Sequence, residues 1–434
     1  MRLAAAVFPL LSTLVASRSG RSTGSGLATS VPLGSGGPAY RDQLVSLHQS
    51  LVEIPSVTGS ENAVGDFLVE YLAERNFTIE RQFLPSDGDA KPHYNVLAWP
   101  GLHRSASPKV LVTSHIDVVP PHIPYSRSDG VPNADTIIAG RGSVDAKASV
   151  AAQITAVLEL LDAQRIGPDD VMLLFVVNEE TDGAGMKHFS AVASSLDPPL
   201  RFRAAVFGEP TEGKLACGHK GLFTCTVTAR GKAGHSGYPE LGRSATEVLM
   251  RGLVKLLDSD VGSSEKFGNT TINIGTIEGG VASNVIPELA VAAMAGRVAI
   301  GPEDGGGEIV VERVKDILRS VDEEAFEFSC MGGYGIIECE CDVEGNLSSP
   351  PFSVSYTCIP SYSNTWPGFD TITVNYGTDV HNLKGDHARY LYGPGNILVA
   401  HGADEALRLG DLETAVEDFG KIILHALRDE TGEL

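Results

Sequence analysis

Five short segments of the sequence contain residues of the kind that bind metal ions, and each stands where an apolar run ends. They are 114–120 (SHIDVVP), 140–147 (GRGSVDAK), 178–180 (NEE), 208–211 (GEPT) and 400–402 (AHG). Carboxylates and neutral imidazoles are typical ligands of a borderline divalent ion such as zinc. Together the segments predict one site for two metal ions, and with it hydrolysis by a metal-activated water.

A parallel sheet would bring these segments together. Compact apolar runs at 110–113, 171–177 and 204–207 alternate with helical patterns such as 146–161, which predicts buried parallel strands joined by crossover helices. Ligands of such sheets bind beyond the carboxyl ends of the strands. Metal-binding residue types follow the runs within a few positions, at His115, Glu179, Glu180 and Glu209. We therefore expect them to share one edge of the sheet.

The length of 434 residues favours two domains, because single cores rarely grow this large. From about 220 to 341 the pattern becomes strand, helix, strand, strand, helix, strand, which predicts a ferredoxin-like insert. The first pattern resumes with a strand at 372–375 and a final helix at 412–427. The predicted fold class is α/β with a mostly parallel central sheet, plus an inserted ferredoxin-like α+β domain.

The N-terminus has the pattern of a secretory signal peptide. Arg2 precedes an apolar run at 3–15, and small residues follow at Ala16 and Ser17. This run is too short to span a membrane. The predicted segments are a signal peptide at 1–17, a disordered linker or propeptide at 18–39, a first catalytic part at 40–219, the insert at 220–341 and a second catalytic part at 342–434. We expect a secreted, extracellular protein.

Cysteines and glycosylation sequons agree with secretion. The chain has six cysteines and three Asn-x-Ser/Thr sequons, at Asn76, Asn269 and Asn346. No Cys-x-x-Cys pair occurs, so a thiolate zinc site is not favoured, and the disulfide pairing stays open. The net charge of −22 argues against nucleic acid and anionic membranes as partners, because both require a basic face. His48 has no metal-type neighbours and is interpreted as a histidine on a helix surface or packed in the core.

The five segments, in this order, resemble those of the zinc-dependent family that contains aminoacylases, carboxypeptidase G, acetylornithine deacetylase and succinyl-diaminopimelate desuccinylase. The likeness extends from about Tyr40 to the C-terminus. Within the family the chain is most similar to secreted fungal enzymes described as probable carboxypeptidases. The resemblance implies a zinc-peptidase catalytic domain, an insert that acts as a lid or dimerisation domain, and two Zn²⁺ per subunit. Co²⁺ and Mn²⁺ stay open, because the ligand types do not separate them from zinc.

The resemblance also implies a role for each residue of the metal site. Asp145 would bridge the two ions, because a carboxylate can give one oxygen to each of them. The remaining ligands would be His115 with Glu209 for one ion, and Glu180 with His401 for the other. A cis peptide bond is implied between Asp145 and Ala146.

Two acidic neighbours of these ligands have implied roles that do not involve metal binding. Asp117 would hold the His115 imidazole in its metal-binding tautomer. Glu179 would be the general base, taking the proton of the attacking water and delivering it to the leaving nitrogen.

Residues of the insert are implied to contact the substrate. His235 would stabilise the oxyanion, often in the site of a neighbouring subunit. Asn284 and Arg297 would meet the substrate carboxylate, for which the guanidinium fork is suited. A loop with Gly393 and Gly395 would line the substrate pocket. Dimerisation through the insert is not universal in the family, so a homodimer stays open.

Three functions remain in competition. The first is a metallocarboxypeptidase that cleaves an amide bond next to a free carboxylate, with small peptides as substrates. The second is an N-acyl-amino-acid deacylase with the same mechanism. The third is a catalytically inactive secreted binding protein, which the loss of a ligand or of the base would favour. Both the ligands and the base are present, so an amide hydrolase is the main prediction.

Overall fold

The positions of the site residues follow from the order of strands in one large sheet. A computed structural model describes residues 36–85, 92–341 and 368–428. The chain from Gly37 onward forms one compact unit. The predicted signal peptide at 1–17, most of the predicted linker, the Asn346 sequon and Cys358 lie outside the described residues.

The first part of the chain contains four helices and eight strands. The helices are α1 (Arg41–Glu53), α2 (Asn62–Ala73), α3 (Lys147–Asp162) and α4 (Ala184–Ser195). The strands are β1 (Phe77–Phe83), β2 (Tyr94–Pro100), β3 (Val110–His115), β4 (Ser126–Arg127), β5 (Ile137–Ala139), β6 (Val171–Val176), β7 (Ala204–Gly208) and β8 (Leu215–His219). Strands β3, β6 and β7 are buried along their whole length, which explains their continuous apolar sequences.

The middle part is the insert, with its own sheet and core. Its elements are β9 (Gly221–Arg230), β10 (Gly234–His235), α5 (Ala245–Leu257), β11 (Ser263–Ser264), β12 (Gly268–Asn269), β13 (Thr271–Gly279), β14 (Val285–Ile286), β15 (Leu289–Val298), α6 (Gly306–Arg319) and β16 (Phe326–Tyr334). The antiparallel sheet has the order β13-β15-β9-β16. Helices α5 and α6 pack on its buried face. This ferredoxin-like order confirms the predicted strand and helix pattern.

The last part returns to the large sheet. Its elements are β17 (Ile337–Glu338), β18 (Thr371–Val374), β19 (Ala388–Tyr392), β20 (Ala406–Arg408) and α7 (Leu409–Leu427). The large sheet has the order β1-β2-β6-β3-β7-β19-β8-β17, and β18 pairs with β8. The four central strands β6, β3, β7 and β19 are parallel, and the predicted α/β class is confirmed.

Two disulfides involve four of the six cysteines. Cys217 at β8 pairs with Cys341, and Cys225 on β9 pairs with Cys330 on β16, while Cys339 is buried and free. The exact domain boundaries stay predictions. Within the described residues, no helix has both the length and the apolar character needed to cross a membrane.

Candidate metal centre

Four neighbouring parallel strands deliver the site residues to one edge of the sheet. His115 is the last residue of β3, and Glu209 directly follows β7. Glu179 and Glu180 stand a few residues after β6, and Gly393 directly follows β19. The carboxyl ends of adjacent parallel strands form the usual ligand-binding crevice of such sheets.

The first group of candidate ligands consists of His115, Asp145 and Glu209, all of them buried. His115 Nε2 lies 3.2 Å from Asp145 Oδ1 and 3.9 Å from Glu209 Oε1. Asp145 is brought there by the turn that precedes α3. Because their ligand atoms lie within 4.8 Å of one another, the three side chains could coordinate one ion.

The second group consists of Asp145, Glu180 and His401. His401 Nε2 lies 3.3 Å from Asp145 Oδ2 and 3.0 Å from Glu180 Oε2. Asp145 therefore turns one oxygen toward each histidine, as a bridging ligand must. The structure brings together all five residues that the sequence suggested as metal ligands.

The chemistry of this cluster fits metal ions. Glu180 Oε1 is buried without a hydrogen-bond partner. Burial raises the pKa of Glu209 well above its ordinary value, and the surrounding carboxylates add to that shift. Burial lowers the pKa of His115, but the neighbouring carboxylates outweigh it and raise that pKa well above its ordinary value. Such an accumulation of buried negative charge is costly unless cations compensate for it.

Asp117 has a broader structural role than the sequence suggested. His115 Nδ1 lies 3.0 Å from the main-chain oxygen of Asp117 and 3.6 Å from its carboxylate, so the carbonyl makes the closer contact with the imidazole. The Asp117 carboxylate accepts hydrogen bonds from the main-chain N–H groups of Glu179 and Glu180, at 3.1 and 3.2 Å. Asp117, two residues after the end of β3, thus holds the loop that carries the proposed base and one ligand.

Glu179 faces the metal cluster from a half-buried position. Its Oε2 lies 4.0 Å from His115 Nε2. Burial raises the pKa of Glu179 well above its ordinary value, and repulsion by Glu209 adds to the shift. A carboxylate with a raised pKa accepts a proton more readily than an ordinary one, as suits a general base in hydrolysis.

Four functional residues were not recognised in the sequence. Arg141 and Glu405 form a buried ion pair beside the cluster. Tyr376 donates a hydrogen bond to the carbonyl of Pro210, 2.9 Å away, next to the ligand Glu209. Asp379 lines the same wall of the site as His115 and Glu179. Glu405 stands only four positions after His401, which was the one available signal; the other three depend on tertiary contacts.

The insert residues separate into two places. His235 on β10 and the neighbouring Asn284 are exposed, and β10 pairs with β14. Their described contacts are with other insert residues, such as the bond from Ser236 N to the Asn284 carbonyl. Arg297 lies elsewhere, at the end of β15, with Nη1 approaching Gly377 of the large sheet's part of the chain. Within the described residues of one chain, Asn284 and Arg297 are therefore not seen to act as a pair.

The loop after β19 lies next to the segment that follows the ligand Glu209. Gly393 N donates to the Thr211 hydroxyl at 3.0 Å, and Glu212 N donates to the Gly395 carbonyl at 2.8 Å. Gly395 has a φ of +81°, which favours glycine. A cavity of about 460 Å³ opens along this loop.

The Asp145–Ala146 peptide bond is cis, as expected from the resemblance. His48 is buried with Nε2 3.0 Å from the Ser143 carbonyl, in agreement with a packed histidine.

Comparison with known sequences identifies the family. A peptidase dimerisation domain matches residues 217–325. An M20 domain-containing peptidase from Sordaria macrospora is 52% identical over 412 residues, covering 90% of this chain and 86% of the relative. The chain belongs to the M20 peptidase family. A probable carboxypeptidase from Aspergillus fumigatus is 43% identical over 409 residues, covering 88% of this chain and 87% of the relative. The predicted family is thus confirmed, and this M20 protein is a hydrolase.

Solved structures share the M20 fold. An M20 metallo-carboxypeptidase from Sulfolobus solfataricus matches with a TM-score of 0.63 at 16% identity, covering 89% of this chain and 99% of the other. A dinuclear metal-binding M20 peptidase from Bacillus subtilis matches with a TM-score of 0.58 at 15% identity, covering 89% of this chain and 98% of the other. At these identities the comparisons support the fold of the M20 chain, while the candidate metal site and the residue roles rest on the geometry.

Proposed function

We propose that this M20 protein is a secreted dinuclear zinc hydrolase that cleaves an amide bond next to a free carboxylate, as a carboxypeptidase does. The observation that carries the proposal is Asp145, whose two oxygens face two separate ligand groups. His115 and Glu209 would complete one metal site, and Glu180 and His401 the other. When bound, the two ions would supply an activated water and polarise the scissile carbonyl.

The protein's own groups would carry the proton. Glu179 is half-buried beside His115 and has a raised pKa, so it can accept the proton of the attacking water and release it to the leaving nitrogen. Asp117 fixes the main chain of Glu179 and Glu180, so the base and the adjacent ligand keep a constant relative position. Such preorganisation is what a general base requires to act in each turnover.

We further propose that the functional unit is a homodimer. The match to a peptidase dimerisation domain supports this proposal. The outer face of α5 exposes Met250, Val254 and Leu257, which follow helical spacing, at 54%, 60% and 57% exposure. An exposed apolar stripe of this kind is typical of an interface. In a dimer, the exposed His235 would reach the partner's site, where it would stabilise the oxyanion.

Secretion is part of the proposal. The two disulfides support it, because disulfides persist mainly in oxidising compartments. The sequons at Asn76 and Asn269 are both exposed, so glycans could be attached there.

The test combines metal content with substrate turnover. Purified protein would be analysed for zinc, cobalt and manganese, and assayed against a panel of short peptides and N-acyl amino acids. We expect about two zinc ions per chain and release of a free amino acid. Release from peptides would support a carboxypeptidase, and release from N-acyl amino acids alone would support a deacylase.

Two variants make this test specific. Glu179→Ala should retain both metal ions and lose at least a hundredfold in kcat, the lower range for a general base. Glu312→Ala is the matched control, because Glu312 is an exposed acid on α6 of the insert whose side chain pairs with Lys315. Bound metal without turnover of any substrate would instead support the non-catalytic binding protein.

A further inference from the structure

Arg297 and Tyr334 flank one residue of the insert sheet. Arg297 on β15 and Tyr334 on β16 are both paired with Leu222 of the central strand β9. Arg297 is exposed, and no described residue forms an ion pair with its guanidinium. A cation without a protein counter-charge is available to an anionic ligand.

Both side chains converge on Gly377. A Cβ atom added to Gly377 would overlap the Tyr334 hydroxyl, and Arg297 Nη1 would lie 3.6 Å from the same atom. The Tyr334 phenol oxygen and Arg297 Nη1 therefore both lie within 3.6 Å of the position that a Cβ atom of residue 377 would occupy. Since each hydrogen bond to a carboxylate spans about 2.7 to 2.9 Å, the two groups are close enough to bind one carboxylate together.

Gly377 connects this pair to the metal centre. Asp379, two residues later, lines the site wall with His115, Glu179 and Glu209. Two residues of extended chain span at most about 7 Å. The Cα atoms of Gly377 and Asp379 therefore lie at most that far apart, so the pair contacts the same chain segment that forms the wall of the metal centre.

Charge restricts where a substrate carboxylate can bind. The carboxylates of the metal cluster would be occupied by the two ions, whereas no described residue forms an ion pair with the guanidinium of Arg297. Arg297 provides positive charge at the Gly377 end. Burial raises the pKa of Tyr334 to about 12, so its hydroxyl stays protonated and can donate a hydrogen bond.

Neighbouring rings hold Tyr334 in place. Its ring stacks on His381 with a centroid distance of 4.0 Å and an interplanar angle of 15°. His219 contacts it edge-on at 6.2 Å. His381 is itself fixed, because its Nδ1 lies 3.2 Å from Glu303 Oε1. A hydroxyl on a ring that cannot rotate freely is preorganised for binding.

We propose that Tyr334 is a specificity residue whose hydroxyl donates a hydrogen bond to the free carboxylate of the substrate, beside the guanidinium of Arg297. This proposal rests on the proposed function and deepens it. It assigns discrimination between carboxylate and carboxamide substrates to a pair of donors that one chain supplies, without Asn284.

The test compares two substrates that differ only in the terminal group, a free carboxylate or a carboxamide. For Tyr334→Phe we expect kcat/KM on the carboxylate substrate to fall about 10- to 100-fold, mainly through KM, because a hydrogen bond to a charged group is lost. The much lower rate on the carboxamide should not change. Gly377→Ala, which displaces the hydroxyl, should have the same selective effect.

Tyr71→Phe is the matched control, because Tyr71 lies on α2 and its hydroxyl accepts a hydrogen bond from Gln43. It should leave both substrates unaffected. Zinc content and thermal unfolding of each variant would establish that it is folded. Equal loss on both substrates, or no loss on either, would overturn the role of Tyr334 while leaving the proposed hydrolase intact.

A second readout does not depend on turnover. Calorimetry on zinc-loaded Glu179→Ala protein would measure the dissociation constants of the same two compounds. Addition of Tyr334→Phe should weaken carboxylate binding about 10- to 100-fold and leave carboxamide binding unchanged. If the wild type cleaves neither compound, the proposed function fails, and this binding comparison still decides the role of Tyr334.

Discussion

One buried ion pair positions both halves of the metal centre. Arg141 Nη1 donates to Glu405 Oε2 at 2.6 Å, and both side chains are nearly inaccessible. Glu405 Oε1 accepts the main-chain N–H of Asp145, at 3.2 Å. Arg141 also donates to the carbonyls of His401 and Gly402, at 3.1 and 3.0 Å. The bridging ligand and the last histidine are therefore held by the same two side chains.

Glu405→Gln should weaken both folding and metal binding. Loss of the carboxylate leaves Arg141 as a buried charge without compensation, which costs about 3 to 5 kcal/mol. We also expect metal affinity to fall about 10- to 100-fold, as for other residues that orient ligands. Urea unfolding and competition with a chelator would measure the two effects, with Glu53→Gln on the exposed surface as control. Metal affinity equal to that of the wild type would contradict the positioning role.

At the scale of elements, Glu303 joins the insert to the large sheet. It follows β15, and its carboxylate accepts hydrogen bonds from His381 and from Arg389 Nη1, the latter at 2.7 Å and on β19. These bonds, led by that of His381, outweigh burial and lower the pKa of Glu303 from 4.5 to about 2. The contact fixes the ring that stacks on Tyr334.

The pH dependence of stability should report this contact. A carboxyl group with a lowered pKa in the folded state stabilises it above pH 4.5, and the contribution is lost as the pH falls toward 2. At neutral pH, Glu303→Gln should lower the free energy of unfolding by at most about 3 kcal/mol. The difference from wild type should shrink on acidification, measured by urea unfolding at several pH values. Glu53→Gln, at an exposed residue of α1, is the control and should show no such trend.

Elements with their own sequence signal could be predicted, and those defined by their neighbours could not. Strands β3, β6 and β7 are continuous apolar runs, so they and the ligands after them were recognised. Strand β19 (ARYLY) has a charged residue at its second position, and it is set by parallel pairing with β7, nearly two hundred residues earlier in the chain. The Arg141–Glu405 pair joins residues 264 positions apart, so the partner of either residue could not be predicted from local sequence.

At the scale of the whole molecule, the stripe on α5 should control assembly. We expect Val254→Glu to convert a dimer into a monomer, because a charge would be buried in an apolar interface. Activity should fall with it, since His235 could no longer reach a partner's site. Light scattering after size exclusion would give the mass. Leu102→Glu, at a residue that is 81% exposed outside the insert, should leave the dimer intact. A fully active monomeric wild type would refute this assembly.

The Cys217–Cys341 disulfide closes the insert into a covalent ring. The two Cα atoms lie 4.8 Å apart although 124 positions separate them in sequence. A protease that cuts a single peptide bond between them would therefore leave one connected molecule. Such a nicked protein would migrate at full length on a gel without reductant and as two fragments with it. Because the ends of the ring meet, a few residues could replace the insert without stretching the remaining chain, which makes this region exchangeable as a unit.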